Sequence, residues 1–258
     1  TLGYAIGLEI GFDVVRAVVV DFNGQPIGAA KVYRPDNREP PAFLRCVQKV
    51  LRELFVQPEA RQAMGIGIGF ADRAAWNPAR VFSADRAVAP VPTPPLVESI
   101  RAAFELPVLS RCDAACAALG EWRNGRLRGT DNGLFLLYAE GIGLGIIARG
   151  RVVFGDWDDA GEIGHLPIDD DGEYCSCGNV GCLETIASQW ALARKAKQIV
   201  ETGGQVGFRR PPSQRVPRVE ELCAMAAAGD LLARNMLVKA GRALGRALAI
   251  SATLFDPA

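Results

Sequence analysis

Short apolar runs open the chain. Residues 4–20 read as a strand, a glycine turn at Gly11 and a second strand rich in valine, followed by the turn pair Asn23-Gly24. This pattern predicts a meander at the start of a sheet. A similar unit returns over residues 134–153, with FLLY, the glycine-rich turn Gly141-Ile142-Gly143, LGIIA, and a turn at Arg149-Gly150 before RVVF. One design is used twice. Between the two lie an amphipathic helix near residues 42–55, an apolar strand over 65–69 and a helix near 96–104. A short strand at Val108 and Leu109 then leads into a helix over 113–123. Strands and helices alternating in this way predict an α/β fold.

The proline-rich stretch from Pro90 to Pro95 reads as a surface connection, because too little sequence precedes it for an independent sheet to close. The lobe boundary is expected near Cys112, giving an N-terminal lobe over residues 1–112 and a C-terminal lobe over 113–258. From Asp230 to Leu254 apolar residues recur at helical spacing with few breakers, which predicts the longest helix, ending at Asp256-Pro257. No segment follows that could supply another strand, so the C-terminal lobe is expected to lack its end.

Composition narrows the function. Lysine plus arginine and aspartate plus glutamate stand at 29 each, so the chain lacks the strongly basic balance of a nucleic-acid-binding surface. Over 258 residues, 49% hydrophobic content is enough for a core larger than that of one small module, and two lobes are expected. No apolar run reaches the roughly 20 residues that span a bilayer, and the N-terminus lacks a basic-then-apolar secretory pattern. A cytoplasmic protein with no membrane partner is expected. The seven cysteines are odd in number, and three crowd into residues 175–182, which favours metal binding over disulfides in a reducing compartment.

The span GEIGHLPIDDDGEYCSCGNVGCLE carries the strongest chemistry. His165, the only histidine, stands ten residues before Cys175, and Cys177 and Cys182 follow. Four such ligands suit tetrahedral zinc. Gly178 and Gly181 allow the tight backbone that brings Cys177 and Cys182 to one ion. The competing reading is of ordinary loop thiols and a satisfied core histidine. No vacant ligand position is evident, so the zinc is expected to be structural.

The same span resembles the ROK family, which groups bacterial repressors, uncharacterised frames and sugar kinases. Its members show GEIGH followed by CxCGxxGCLE, and this sequence keeps each of those positions from Gly161 to Glu184. The resemblance extends to IGLEIGFDVVRAVVVDFNG, to GIGIG at residues 65–69, to RCDAACAALGE at residues 111–121 and to EGIGLGIIARG at residues 140–150. It implies the two-lobed actin and hexokinase-like (ribonuclease H-like) fold, a duplicated βββαβα unit closing over a cleft. The family's sugar-binding pattern falls on Cys112, Asp113, Glu162, His165 and Glu184, with Cys112 in place of the usual Asn. Carboxylates suit sugars because each accepts several hydroxyl hydrogen bonds, and Asp113 would be the base if the chain were a kinase. His165 would use one ring nitrogen for zinc and the other for a sugar oxygen. The plainer alternatives are that Asp113 caps its helix and Glu162 is a solvated charge.

Two departures argue against catalysis. Kinase members open with DIGGTK, where this chain reads Glu9-Ile10-Gly11-Phe12-Asp13-Val14, placing bulk and a carboxylate where a phosphate would lie. The second phosphate loop, usually GTGIGGG, reads Ala139-Glu140-Gly141-Ile142-Gly143-Leu144-Gly145, and GIGLG is then simply a tight hairpin turn. Like charges about 4 Å apart repel by about 4 kcal/mol near a protein surface. Bound ATP and magnesium, and any catalytic residue, are therefore not expected. The resemblance is to the repressor branch, with a sugar effector as partner and a homo-dimer or tetramer as assembly. DNA would be reached only through a helix-turn-helix absent from this chain. The alternative is an ATP-dependent sugar kinase acting on a hexose or N-acetylhexosamine.

Overall fold

Three strands, β1 (Tyr4–Ile10), β2 (Val15–Asp21) and β3 (Pro26–Tyr33), form the expected opening meander. β1 and β2 are antiparallel with Ile10 opposite Val15 across the Gly11 turn, and β2 pairs antiparallel with β3. Alternate residues are buried: Ile6, Leu8 and Ile10 on β1, and Val15, Ala17 and Val19 on β2. The period of two puts them on one face of the sheet. The computed structural model describes residues 3–36, 40–71, 95–156, 158–201 and 218–258. The proline-rich connection lies outside these residues, apart from Pro95.

β4 (Ala63–Phe70) runs parallel to β1 and β5 (Val108–Cys112) parallel to β4, giving the order β3-β2-β1-β4-β5. Two connections lead into these parallel strands. One holds α1 (Pro40–Leu54) and the short α2 (Pro58–Arg61), and the other holds α3 (Pro95–Phe104). α1 buries Phe43, Val47, Val50, Leu51 and Leu54, a stripe at spacings of three and four. With Leu96, Val97 and Ile100 of α3 it forms one core with the strands. Each such side chain contributes about 1.5–3 kcal/mol on burial. β5 ends at Cys112 and α4 (Asp113–Asn124) begins at the next residue, so Asp113 stands at a strand-to-helix junction.

The meander repeats in a three-stranded sheet ordered β6 (Gly133–Tyr138), β7 (Ile142–Ala148) and β8 (Arg151–Val152). Two details differ from the expectation. β7 already begins at Ile142, so the turn occupies residues 139–141, closed by the Ala139 amide donating to the Gly141 carbonyl at 2.9 Å. β8 holds only the first two residues of RVVF, and Val153 adds a single bond to the Ile146 carbonyl.

Contacts divide the chain into two compact units. The first comprises Thr1–Phe135, Leu144–Gly161 and Ala258; the second comprises Leu136–Gly143 and Glu162–Pro257. Residues 1–112 fall wholly in the first, whereas residues 113–258 are shared between the two. The second unit holds α5 (Leu183–Ala187), α6 (Gln189–Glu201), α7 (Val219–Ala227) and α8 (Leu231–Phe255). α8 is the long helix that the sequence predicts. Its buried stripe is Ala233, Met236, Ala240, Ala243, Ala247 and Ser251. Asp230 caps it, accepting from the Leu232 and Ala233 amides at 2.9 Å each, and Asp256 ends it in the left-handed region at φ 44°. No helix among the described residues is long and apolar enough to cross a membrane.

Because Asp230 satisfies two of the amides that a helix start leaves free, Asp230→Ala is expected to lower the urea unfolding free energy by about 1 kcal/mol, while Asp230→Ser keeps most of it.

Candidate metal centre and ligand site

The metal-ligand loop is shaped by backbone bonds. A 3-10 turn, Ile163–His165, presents His165, and the chain then passes beside Cys182 through the Pro167 to Cys182 bridge. Beyond it a small hairpin bridges Tyr174 to Val180, with the Cys175 amide donating to the Asn179 carbonyl at 2.8 Å and the Gly178 amide to the Cys175 carbonyl at 3.0 Å. Gly181 is held where only glycine fits. Its φ is +65°, its carbonyl accepts from the Ile168 and Asp169 amides, and a Cβ there would lie 1.6 Å from the Asp169 carbonyl oxygen. Cys182 follows directly and precedes α5.

This folding brings all four expected ligands together. The ligand atoms of His165, Cys175, Cys177 and Cys182 lie within 4.8 Å of one another, with the three cysteines buried. Cys175 Sγ stands 3.5 Å from His165 Nδ1, and Cys177 Sγ stands 3.6 Å from Cys182 Sγ. Tetrahedral zinc with bonds of about 2.0–2.3 Å separates neighbouring ligands by roughly 3.5–3.8 Å, so the cluster has the spacing the ion needs. Burial pushes the Cys175 thiol up, and burial reinforced by the Cys177 hydrogen bond pushes Cys182 up. A buried set of protonated thiols gains little from meeting, whereas a divalent cation holds them as thiolates and repays their desolvation. The donor set therefore fits zinc. Among the described residues there is no disulfide.

Around this cluster the second unit gathers three of the residues expected at a sugar. The nitrogen of His165 that does not face Cys175, Nε2, lies 3.9 Å from Glu162 Oε2, and the His165 amide donates to the Glu162 carbonyl at 3.0 Å. A metal held on Nδ1 would leave Nε2 on the opposite side of the ring, toward Glu162. Glu184, in the first turn of α5, accepts from the Ile142 amide through Oε2 at 3.3 Å. Sequence reasoning had no signal for that bond, since nothing in a glycine-rich turn names a distant carboxylate as its partner.

Cys112 and Asp113 belong to the first unit. Asp113 Oδ1 accepts from the Ala114 amide at 2.7 Å and lies 3.6 Å from Cys112 Sγ. Cys112 occupies the N-cap position and Asp113 the first helical position, from which its carboxylate satisfies the Ala114 amide, one of those that a helix start leaves free. Desolvation pushes its carboxyl up to about 6, against the lowering effect of the Ala114 amide, and Glu9 adds a smaller upward push. Beside it stands an unanticipated clamp. Arg111 lies over the Phe154 ring at 4.9 Å and pairs with Asp158 at 3.5 Å, while Asp158 holds a left-handed φ of 61°. A non-glycine residue in that region leaves no mark in the sequence.

The two loops that depart from the kinase pattern differ in how their charge is managed. Val14 is a core residue, and the Gly11 amide donates to its carbonyl at 2.8 Å. Asp13 forms an exposed ion pair with Arg34 at 2.7 Å, which offsets part of its charge. Glu140 is different. At the β6–β7 turn it is half-buried and pairs with no side chain among the described residues.

Comparison with known proteins gives the lineage. The ROK family profile matches residues 5–258. Over 166 residues the chain is 34% identical to the DNA-binding transcriptional dual regulator NagC of Escherichia coli, covering 63% of this chain and 39% of that protein. Over 197 residues it is 32% identical to a glucokinase of Streptomyces coelicolor, covering 76% of this chain and 60% of the enzyme. The matches thus span less than two thirds of either relative. A ROK hexokinase from Thermus thermophilus superposes with a TM-score of 0.72 at 27% identity, covering 98% of this chain and 79% of that one. A ROK family transcriptional regulator homologous to the E. coli Mlc protein gives the same TM-score at 26% identity, covering 99% and 64%. The fold is therefore shared by regulators and kinases alike, and with residues 5–258 inside the matched profile, this chain belongs to the ROK family.

Proposed function

We propose that this chain is the sugar-sensing, effector-binding part of a ROK-family transcriptional regulator, stabilised by one structural zinc on His165, Cys175, Cys177 and Cys182, and that it does not transfer phosphate. The observation that carries the reading is Glu140, a carboxylate without a counter-charge among the described residues at the turn where a kinase of this family would cradle phosphate. Phosphoryl transfer rests on placing and neutralising phosphates, and a fixed negative charge at that turn opposes both. The sugar contacts are Cys112, Asp113, Glu162, His165 and Glu184. Cys112 removes the two-sided hydrogen bonding of the family's Asn and so alters which sugar is held. DNA would be bound through a helix-turn-helix outside this chain, by a homo-dimer or tetramer, in the cytoplasm.

A second reading is kept by Asp113. A carboxyl pushed up to about 6 by burial is suited to accept a hydroxyl proton near neutral pH, which is what a sugar kinase of this family would ask of it. A coupled ADP-release assay over hexoses, N-acetylhexosamines and pentoses separates the two. The regulator reading expects no turnover. A rate above about 0.1 per second that vanishes in Asp113→Asn establishes the kinase. Thermal shift with the same sugars identifies the effector, because a ligand of the folded state raises apparent stability.

The zinc role has its own test. Elemental analysis of chain purified without added metal should find one zinc. Cys177→Ser should lower both zinc content and thermal stability, and should weaken sugar binding because His165 belongs to both sites. A fully folded, metal-free preparation would refute the assignment.

Asp113 also predicts a pH dependence. Its folded value, about 6, lies above the ordinary carboxylate value. The neutral form is thus favoured by folding, and the associated stability is present at acid pH and is lost as pH rises through about 6. Asp113→Asn should therefore match the parent near pH 4 and exceed it at pH 7.5 by on the order of 2–3 kcal/mol in urea unfolding. Equal stabilities at pH 7.5 would mean that the carboxylate is not desolvated.

A further inference from the structure

The turn between β6 and β7 is fastened to the segment that follows the last zinc cysteine by three hydrogen bonds, all within the second unit. Tyr138 Oη donates to the Ala187 carbonyl at 2.9 Å, the Gln189 amide donates to the Ala139 carbonyl at 3.1 Å, and the Ile142 amide donates to Glu184 Oε2 at 3.3 Å. The first two end on backbone carbonyls of normal bond length. The third ends on a carboxylate, is the longest, and is the only one whose acceptor has a further use.

Gly164 shapes this contact from the other side. A Cβ there would lie 2.4 Å from the Ile142 carbonyl oxygen and 3.3 Å from Glu184 Oε2. The 3-10 turn that carries His165 therefore leaves just enough room for the hairpin backbone and the carboxylate to meet. Ile142 is held by its amide on Glu184 and abuts Gly164 through its carbonyl.

We propose that the Glu184–Ile142 bond is the release point of the sensor: a sugar hydroxyl that seats on Glu184 draws the carboxylate off the Ile142 amide and frees the start of β7, beside Glu140. This rests on the reading of Glu184 as a sugar contact. A hydroxyl donating to a carboxylate settles at about 2.5–2.7 Å and is among the stronger hydrogen bonds, whereas an amide bond at 3.3 Å is already near the limit at which it counts as one. A shift of a few tenths of an ångström toward the ligand is enough to break it. The turn that its kinase relatives use for phosphate would then report occupancy of the sugar site. Glu184 acts here as a positioning residue, through Ile142.

Residue-resolved amide hydrogen exchange on the zinc-loaded chain tests this, with calorimetry run in parallel over the hexose, N-acetylhexosamine and pentose panel. A sugar that binds should make the Ile142 amide exchange at least about tenfold faster while β1 amides are unchanged or slower, opposite in sign to the general protection a ligand confers. Glu184→Ala should show the fast rate without sugar. Glu184→Gln keeps an acceptor oxygen but offers no charge, so it should retain the slow rate and lose the sugar response. A sugar that binds yet leaves the Ile142 amide unchanged or slower overturns the inference and spares the sensing reading. So does a parent-like rate in folded Glu184→Ala. Absence of binding across the whole panel sinks the sensing reading itself, and the inference with it.

Discussion

The meeting of His165 with Cys175, Cys177 and Cys182 is the constraint on which the surrounding loop depends. Its residues come from a 3-10 turn, a small hairpin and the start of α5, none of which has an extended apolar face of its own to fix it. Segments this short rarely hold a single geometry by packing alone, and a tetrahedral ion would supply the missing directionality. Three polar groups stand around the cluster: Glu162 just before the 3-10 turn, His165 Nε2 on the side of the ring away from Cys175, and Glu184 two residues past Cys182. An ion bound there would hold all three together.

One fold serves both regulators and kinases in this family. A regulator and a hexokinase superpose equally well on this chain, so architecture does not choose between them. In the proposed reading the difference lies at two turns. At the first, Asp13 forms an exposed pair with Arg34 and Phe12 adds bulk beside it. At the second, Glu140 stands without a counter-charge among the described residues. Asp113, meanwhile, keeps the burial that a base would need, which is equally what an acceptor of sugar hydroxyls needs. A retained buried carboxyl beside altered phosphate loops is the combination on which the proposed regulator reading rests.

Much of this was legible in residues alone, and for identifiable reasons. The alternation of Ile6, Leu8 and Ile10, the stripe of Phe43, Val47 and Leu51, and the long spacing along α8 are local periodicities, and local geometry converts them directly into strands and helices. Four zinc ligands within eighteen residues are likewise a local fact, since only a few backbone turns can bring them to one point. The family motif then supplied Cys112, Asp113, Glu162, His165 and Glu184 as a set.

Tertiary structure decided what depends on neighbours distant in the chain. That Asp13 pairs with Arg34, that Asp113 is desolvated, that Asp158 sits in a left-handed conformation against Arg111, and that Glu184 holds the Ile142 amide are all outcomes of packing between segments 20 to 50 residues apart or of burial itself. A charge in a sequence carries no record of its partner or its dielectric. The sequence by itself determined the His and Cys cluster, the periodic elements and the family, because each is encoded in spacing; the electrostatic state of the site was decided only when folding set which groups lose water and which find a counter-charge.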